Sequence, residues 1–176
     1  MQAKACGYVS GRSECLFLRS VENNFIELYT DGAASGNPGP GGFGVVLKFR
    51  NHRKEISGGF RLTTNNRMEL LAVIVGLESV TNNDLKVIVY SDSKYVVDPF
   101  NQNWIHGWKK TGFKNKANVD LWKRLLVTYK PHMHTFTWVK GHGSNAENNR
   151  CDELAVAAYK KPGLLIDEGY ELSKRA

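Results

Sequence analysis

The sequence predicts an α/β domain built on a five-stranded mixed sheet with helices flanking it. Three strand-like runs follow one another across short links, and two more strand-like runs then alternate with helical segments. The short links favour antiparallel pairing of the first three strands. With 176 residues, the chain is long enough to bury one sizeable core. We therefore expect a single folded domain.

The predicted elements follow in order along the chain. The strands are Phe25 to Thr30, Phe43 to Phe49, Lys54 to Leu62, Leu85 to Tyr90 and His134 to Val139. The longer helices are Asn66 to Val80, Val119 to Tyr129 and Ala146 to Tyr159, and short helices precede the second of these in a lysine-rich stretch. The first helix is apolar almost all round, which predicts a buried position. Residues 1–23 show no periodicity, so we expect a poorly ordered N-terminal extension before a domain over 24–176.

Composition and cysteine usage indicate an ordinary globular protein of a reducing compartment. The chain is 41% hydrophobic and 23% charged, and no apolar run is long enough to span a bilayer. The N-terminal residues lack the apolar core of a secretory signal. Cys6, Cys15 and Cys151 form no metal-type cluster and cannot all pair. We expect a cytoplasmic monomer without a membrane partner.

The positive charge is concentrated in one stretch. The net charge is +7, and between Asn101 and Lys130 seven Lys and Arg residues stand against one acid, Asp120. Tryptophan and phenylalanine residues are interleaved with these cations. A basic, aromatic-rich segment favours a polyanionic partner, above all nucleic acid. A solvated helix face with its aromatic residues in the core explains the same pattern, and composition alone leaves both interpretations open.

Four carboxylates stand where an α/β fold can bring them together. Asp31 ends the first strand, Glu69 lies in the first helix, Asp92 follows the fourth strand and Asp152 lies on the last helix. Helical spacing places Asp152 on a sheet-facing stripe with Asn148, Ala155, Val156 and Tyr159. Each acid alone suits a helix cap or a salt bridge. Because sites form beyond the ends of strands and buried charges must be paired or metal-bound, the four together favour Mg²⁺ or Mn²⁺.

Six ordered motifs resemble type 1 ribonuclease H, the bacterial-type ribonuclease HI family. They are YTDGAASGNPGPGGFG, TTNNRMELLA, YSDSKYV, WIHGWKK, NVDLW and WVKGH followed by ENNRCDELA. The resemblance runs from Phe25 to the C-terminal segment. It implies the ribonuclease H-like fold and an endonuclease that hydrolyses the RNA strand of RNA/DNA hybrids, leaving 5′-phosphate and 3′-hydroxyl ends.

The resemblance also implies the catalytic groups. The four metal-binding carboxylates of the family fall on Asp31, Glu69, Asp92 and Asp152, and its mobile loop histidine falls on His142. Two Mg²⁺ ions, with Mn²⁺ as a substitute, would bind there, and Asp31 would bridge them. Two metals relieve the charge on both the attacking and the leaving oxygens of a phosphodiester. An imidazole on a glycine-flanked loop can move a proton near the leaving group or help products leave.

The implied partner is an RNA/DNA hybrid. Small residues after Asp31 would let a minor groove approach the main chain, where N–H and C=O groups can read the ribose 2′-hydroxyl. The substrate contacts implied by the family are Gly32, Asn37, Thr64, Asn65, Asn66, Ser93 and Asn148. The basic stretch resembles the protrusion that grips the DNA strand, through Trp104, Lys109, Lys110, Lys114 and Lys116.

Three departures from the family pattern accompany the resemblance. The basic stretch is shorter than in well-known bacterial members, Lys94 stands where Gln is common, and Gly-Ser-Asn-Ala follows His142. None of these removes a metal ligand. Two rival functions are a non-catalytic hybrid-binding module and a transposase- or integrase-type DNA nuclease. The intact acids argue against the first rival, and the TTNNRMEL and NPGPGG motifs argue against the second.

Overall fold

Five strands form one mixed sheet in a computed structural model that describes residues 24–174. They are β1 (Phe25–Ala34), β2 (Gly39–Phe49), β3 (His52–Thr63), β4 (Lys86–Ser91) and β5 (His134–Trp138). Their order across the sheet is β3-β2-β1-β4-β5. β2 runs antiparallel to both β1 and β3, whereas β4 runs parallel to both β1 and β5. The predicted five-stranded mixed sheet is confirmed.

The helices over residues 24–174 match the predicted ones closely, with one addition. They are α1 (Asn65–Glu78), α2 (Lys94–Asn101), α3 (Trp104–Lys110), α4 (Val119–Thr128), α5 (Ala146–Tyr159) and α6 (Glu168–Ser173). The sequence did not predict α6, because this short polar segment has no apolar stripe. The expectations for residues 1–23, including Cys6 and Cys15, lie outside the described residues. Over the range that the structure describes, no helix has the length and apolarity needed to cross a membrane.

Helices cover both faces of the sheet. α1 packs against β1, β2 and α4, and its residues from Arg67 to Leu77 are almost all buried, as predicted. α5 packs against β1, β2 and β3. The α1 face contributes the main core, and a smaller cluster of Tyr29, Val46 and Cys151 lies under α5. Each of these two helices supplies one of the predicted site carboxylates.

The glycine-rich stretch after Thr30 is mostly strand, so the predicted end of the first strand at Thr30 and the predicted start of the second at Phe43 were wrong. β1 continues to Ala34, and only residues 35–38 separate it from β2. Glycines read as breakers in a sequence, but here they allow close packing. A Cβ on Gly32 would collide with the backbone of Glu69, and a Cβ on Gly44 would collide with the carbonyl of Cys151. The absence of side chains therefore lets α1 and α5 lie directly on the sheet.

The buried stripe of α5 differs from the predicted one. Its buried residues are Asn148, Cys151, Ala155 and Ala158. The helix is rotated so that Cys151 and Ala158 take the buried places predicted for Asp152, Val156 and Tyr159, and the carbonyls of Cys151 and Ala155 lie against Gly44 and Gly42. Asp152 consequently lies at the border of the buried stripe and is only partly buried.

An ion-pair network around Arg67 fastens the C-terminal segment to α1. The Nε and Nη2 atoms of Arg67 each donate to Asp167 at 2.7 Å, and Nη1 and Nη2 donate to Asp120 at 2.9 and 2.7 Å. Asp167 also accepts the hydroxyl of Thr63 at 2.6 Å. Arg67 is only 3% exposed, so its charge is tolerated because both carboxylates satisfy it. The network holds the first turn of α1, directly before Glu69.

Candidate active site

Three carboxylates converge at one end of the sheet. Asp31, Glu69 and Asp92 each place an oxygen within 4.8 Å of the others. Thr30 of β1 and Ser91 of β4 are register partners in the parallel ladder, and Asp31 and Asp92 are the next residue of each chain segment. Parallel pairing therefore delivers two of the acids side by side. The third acid, Glu69, comes from the first turns of α1, whose backbone contacts β1 where Gly32 lacks a side chain.

Burial and mutual repulsion make Asp31 and Glu69 hard to ionise. Desolvation, followed by the negative charge of Asp92, raises the pKa of Asp31 to about 8, and the charge of Asp152 adds to the shift. Desolvation also raises the pKa of Glu69 well above its ordinary value, with further contributions from Asp31 and Asp92. In the described part of the chain, no Lys or Arg forms an ion pair with any of the three acids. A cation from solution would offset this cost.

The hydrogen bonding of the acids is incomplete. Asp31 Oδ1 accepts the N–H of Gly32 at 2.7 Å, and Glu69 Oε1 accepts the amide of Asn65 at 3.4 Å. Glu69 Oε2 and Asp92 Oδ1 are buried and have no donor among the described residues. Buried polar atoms are normally satisfied, so unpaired carboxylate oxygens need an explanation. Hard oxygen ligands facing one another are what Mg²⁺ and Mn²⁺ prefer.

Asp152 stands beside this group without belonging to it. Among the described residues, the acids with oxygens within 4.8 Å of one another are Asp31, Glu69 and Asp92. The charge of Asp152 nevertheless acts on Asp31, so the two carboxylates are close enough to repel. The structure thus brings three of the four predicted metal ligands together and puts the fourth next to them. Metal ligation by Asp152 stays a prediction.

His142 lies on an exposed loop between β5 and α5. Its φ is 47°, in the left-handed region, and glycines flank it on both sides. Gly141 lies against Asp92, where a Cβ would collide with the carboxylate. The side-chain amide of Asn149 donates to the carbonyl of Gly143 at 3.0 Å and ties the loop to α5. The loop therefore contacts the acid group through Gly141 and Asp92. A role for the His142 imidazole stays a prediction.

Several predicted groove contacts form a rim at the start of α1. Asn37 Oδ1 accepts the backbone N–H of Asn65 at 3.3 Å, which ties the β1–β2 turn to the helix. Thr64 precedes α1 as its N-cap residue but makes no side-chain capping bond, and Asn66 is exposed. The hydroxyl of Thr64 and the side chain of Asn66 are thus uncommitted to helix capping.

Three other predicted substrate contacts, Gly32, Asn148 and Ser93, already make hydrogen bonds within the protein. The N–H of Gly32 is already donated to Asp31. Asn148 is only 1% exposed, and its amide donates to Asp92 Oδ2 at 3.4 Å. Ser93 is partly exposed at the start of α2, and its N–H donates to Ser91 Oγ at 3.2 Å. The structure gives Gly32 and Asn148 a role in holding the carboxylates, which the sequence did not indicate.

The basic stretch carries exposed lysines next to aromatic side chains. Its four predicted contact lysines, Lys109, Lys110, Lys114 and Lys116, are all exposed, as is Trp104. Phe113 and Trp122 are buried in the core. Lys116 Nζ lies 4.4 Å from the centroid of the Trp108 ring. Some aromatic residues therefore anchor the segment in the core while its charges face solvent, and contact of these lysines with a polyanion stays a prediction.

Sequence reasoning passed over Trp138. It ends β5, has 45% of its surface exposed, and donates its indole N–H to the carbonyl of Asp92 at 2.9 Å. The residue lies in the quoted WVKGH motif, but nothing in that motif indicates which carbonyl the indole meets.

Comparison with known proteins assigns the family. The RNase H family model matches residues 23–160. A Ribonuclease H from Desulforamulus reducens is 54% identical over 147 residues, covering 81% of this chain and 92% of the relative. One from Rippkaea orientalis is 53% identical over 151 residues, covering 83% and 92%.

Solved structures agree. LC9-RNase H1, described as a type 1 RNase H with the type 2 active-site motif, superposes with a TM-score of 0.69 at 30% identity, covering 87% of this chain and 82% of that one. LC11-RNase H1, solved in complex with an RNA/DNA hybrid, gives 0.58 at 26% identity, covering 77% and 96%. The fold and the acidic group define a metal-dependent hydrolase. The protein belongs to the RNase H family, and Asp31, Glu69 and Asp92 can bind its metal.

Proposed function

We propose that the protein is an endonuclease that hydrolyses the RNA strand of RNA/DNA hybrids and leaves 5′-phosphate and 3′-hydroxyl ends. The convergence of Asp31, Glu69 and Asp92 within 4.8 Å supports this most directly, in a chain that the RNase H family model matches over residues 23–160. The hybrid bound to LC11-RNase H1 supports the same substrate class here.

Two divalent ions would bind at the acidic group. Its ligands are all carboxylate oxygens, two of them buried without a donor, and hard oxygen donors suit Mg²⁺, with Mn²⁺ as a substitute. Asp31, Glu69, Asp92 and Asp152 would hold the ions. When bound, such ions neutralise charge on the attacking and leaving oxygens of the phosphodiester. The chain itself contributes the placement of the four acids by β1, α1, α5 and the end of β4.

The rim at the start of α1 is suited to bind the hybrid. Asn37, Asn65 and Asn66 offer amide donors and acceptors to base edges and ribose hydroxyls of a minor groove, the readout that separates RNA from DNA. Thr64 would meet a phosphate of the DNA strand. Because Asn65 also bonds Glu69, a groove contact at this residue adjoins the acid group.

The basic stretch would grip the DNA strand. Lys109, Lys110, Lys114 and Lys116 are exposed, and Trp104 lies beside them with an exposed ring. Ammonium groups bind phosphates without reading sequence, so this contact adds affinity and register. The hybrid would thereby be held at two places, with the scissile strand over the acids.

His142 would act on a proton near the leaving group. Its exposed side chain stands on the loop that touches Asp92 through Gly141, and an imidazole can exchange protons near neutral pH. Proton transfer to the departing 3′-oxygen would complete hydrolysis, in which water adds to phosphorus and the P–O3′ bond breaks.

The remaining proposals concern the whole chain. Residues 24–176 would form the catalytic domain, preceded by an N-terminal extension over 1–23. The protein would act as a monomer in the cytoplasm. Gel filtration with light scattering tests the monomer, and cleavage by a variant lacking residues 1–23 tests the domain boundary.

A cleavage assay on three duplexes tests the function. End-labelled RNA/DNA hybrid, duplex RNA and duplex DNA are incubated with the protein, with Mg²⁺ and with EDTA. We expect cleavage of the hybrid alone, in its RNA strand and only with Mg²⁺. Binding without cleavage would indicate a hybrid-binding module, and cleavage of duplex DNA would indicate a DNA nuclease. Either result would overturn the proposal.

A further inference from the structure

Asp92 lies outside the backbone ladder that positions its neighbours. β4 ends at Ser91, whose register partners are Thr30 and Trp138, and α2 begins at Lys94. Asp92 therefore occupies a two-residue link between strand and helix. A functional carboxylate needs placement within roughly 0.5 Å, so other contacts must fix this link.

The contacts to the Asp92 side chain are weak. Oδ1 has no donor among the described residues, and Oδ2 accepts the amide of Asn148 at a long 3.4 Å. Gly141 packs against the carboxylate, so closely that a Cβ there would collide with Oδ2. The shortest bond that involves this residue and a side chain is the one from Trp138 to its main-chain carbonyl, at 2.9 Å.

Trp138 is partly exposed, so burial of its ring contributes little to the stability of the fold. Its side chain is 45% exposed, and Lys94 Nζ lies 5.5 Å from its ring centroid. Trp138 is the register partner of Ser91, and its indole bonds the carbonyl of the residue that follows Ser91, which is Asp92. The indole bond thus links β5 to Asp92, the first residue after the paired part of β4.

We propose that Trp138 is a positioning residue whose indole N–H fixes the Asp92 peptide plane and thereby the direction of the Asp92 carboxylate. Rotation of that plane would swing the Asp92 side chain relative to Asp31 and Glu69. The inference rests on the proposed function in that it takes Asp92 as a metal ligand. The alternative role for an exposed ring beside this site is stacking on a nucleotide of the substrate. Variants that keep or remove the ring separate the two roles.

The test compares Trp138→Phe, which keeps a ring but removes the donor, with Trp138→Ala. Mg²⁺ affinity is obtained from the rise in melting temperature of the full chain with Mg²⁺ concentration, which needs no substrate. We expect both variants to bind Mg²⁺ about 10-fold more weakly, the lower end for losing a partner that orients a metal ligand. At saturating hybrid, kcat should fall in both variants, whereas KM for the hybrid should stay near the wild-type value.

Ser79→Ala is the matched control. It removes another side-chain donor to a backbone carbonyl, the bond from Ser79 Oγ to Val75 O at 2.8 Å, at the end of α1 far from Glu69. This variant should keep wild-type Mg²⁺ affinity and kcat. Wild-type Mg²⁺ affinity in Trp138→Phe would overturn the proposal, and a raised KM in Trp138→Ala alone would assign the ring to substrate stacking. If the wild-type protein does not cleave the hybrid, the proposed function is contradicted. The comparison of Mg²⁺ affinities still tests the role of Trp138, because it needs no substrate.

Discussion

Thr30 of β1 and Ser91 of β4 are register partners, and the next residue after each is a site carboxylate. Because β1 and β4 are parallel, both chains leave the ladder in the same direction and bring Asp31 and Asp92 together. The mutual repulsion and burial of these acids are built into the sheet. Stability, metal binding and catalysis should therefore be linked at this point.

The metal-free protein should lose stability as pH rises. Burial and the charges of Asp92 and Asp152 raise the folded-state pKa of Asp31 to about 8, well above the ordinary value of 3.8 for an aspartate side chain. Between about pH 4 and 8 the folded protein keeps a proton that the unfolded chain releases, so the free energy of unfolding falls across this window. Urea unfolding in EDTA at pH 5 and pH 8 measures the difference.

Asp31→Asn should flatten this pH dependence and raise stability at pH 8 by about 1 kcal/mol, within the usual range for one substitution. Asp152→Asn should act in the same direction, because its charge contributes to the shift. Asp84→Asn, in an exposed loop, serves as a control. The picture of clustered acids would be wrong if both Asp31→Asn and Asp152→Asn lowered the stability.

Asp167→Asn should destabilise the fold strongly. The substitution leaves the buried guanidinium of Arg67 without one of its two carboxylates, and breaking a buried pair costs about 3–5 kcal/mol. Glu153→Gln is the matched control, since Glu153 and its partner Arg150 are both exposed and such pairs contribute about 0–1 kcal/mol. Denaturant unfolding compares the two variants. Equal losses would show that the Arg67 network does not anchor the C-terminal segment.

Replacing the four lysines of the basic stretch by Ala should weaken hybrid binding and its salt dependence together. Each phosphate contact contributes about −0.9 to the slope of log affinity against log salt, so losing Lys109, Lys110, Lys114 and Lys116 should flatten the slope by about two to four units. The rate at saturating substrate should change far less. Binding titrations at several salt concentrations measure the slope.

The control for this variant changes Lys54 and Lys86 to Ala. Both are exposed, and Lys86 pairs with Phe25 at the end of β1 opposite to Asp31. Their loss should leave the slope near the wild-type value. A slope unaffected by the four-lysine change would mean that these residues do not contact phosphate.

His142→Ala should slow the enzyme without abolishing cleavage. Loss of a general acid costs roughly 100-fold at the lower end of its range, while the carboxylates that hold the metal remain. His132→Ala, another exposed histidine, provides the control. Single-turnover rates across pH compare the variants, and wild-type rates in His142→Ala would remove the imidazole from the mechanism.

Periodicity and residue type predicted the elements well where the pattern is local. The burial of α1 and the limits of α5 at Ala146 and Tyr159 agree with the prediction. The glycine-rich stretch was misjudged because the same glycines that break strands also permit helices to press on a sheet. Whether Gly32 faces solvent or the backbone of Glu69 depends on tertiary packing.

Long-range pairing explains what the sequence left out. Arg67 and Asp167 are 100 positions apart, and Trp138 meets Asp92 across 46 positions, so no local pattern indicates either bond. The rotation of α5 that leaves Asp152 partly buried is set by two glycines on β2, not by the periodicity of the helix. The acids themselves could be identified, because the family motifs mark them.

Cleavage and binding by Asp31→Asn test the central claim most directly. The substitution keeps the shape of the side chain and removes the charge at the centre of the acid group. At saturating Mg²⁺, we expect the variant to bind RNA/DNA hybrid with near wild-type affinity and to show no cleavage of the RNA strand. Substantial turnover by this variant would contradict the assignment of Asp31 and, with it, the account of the site.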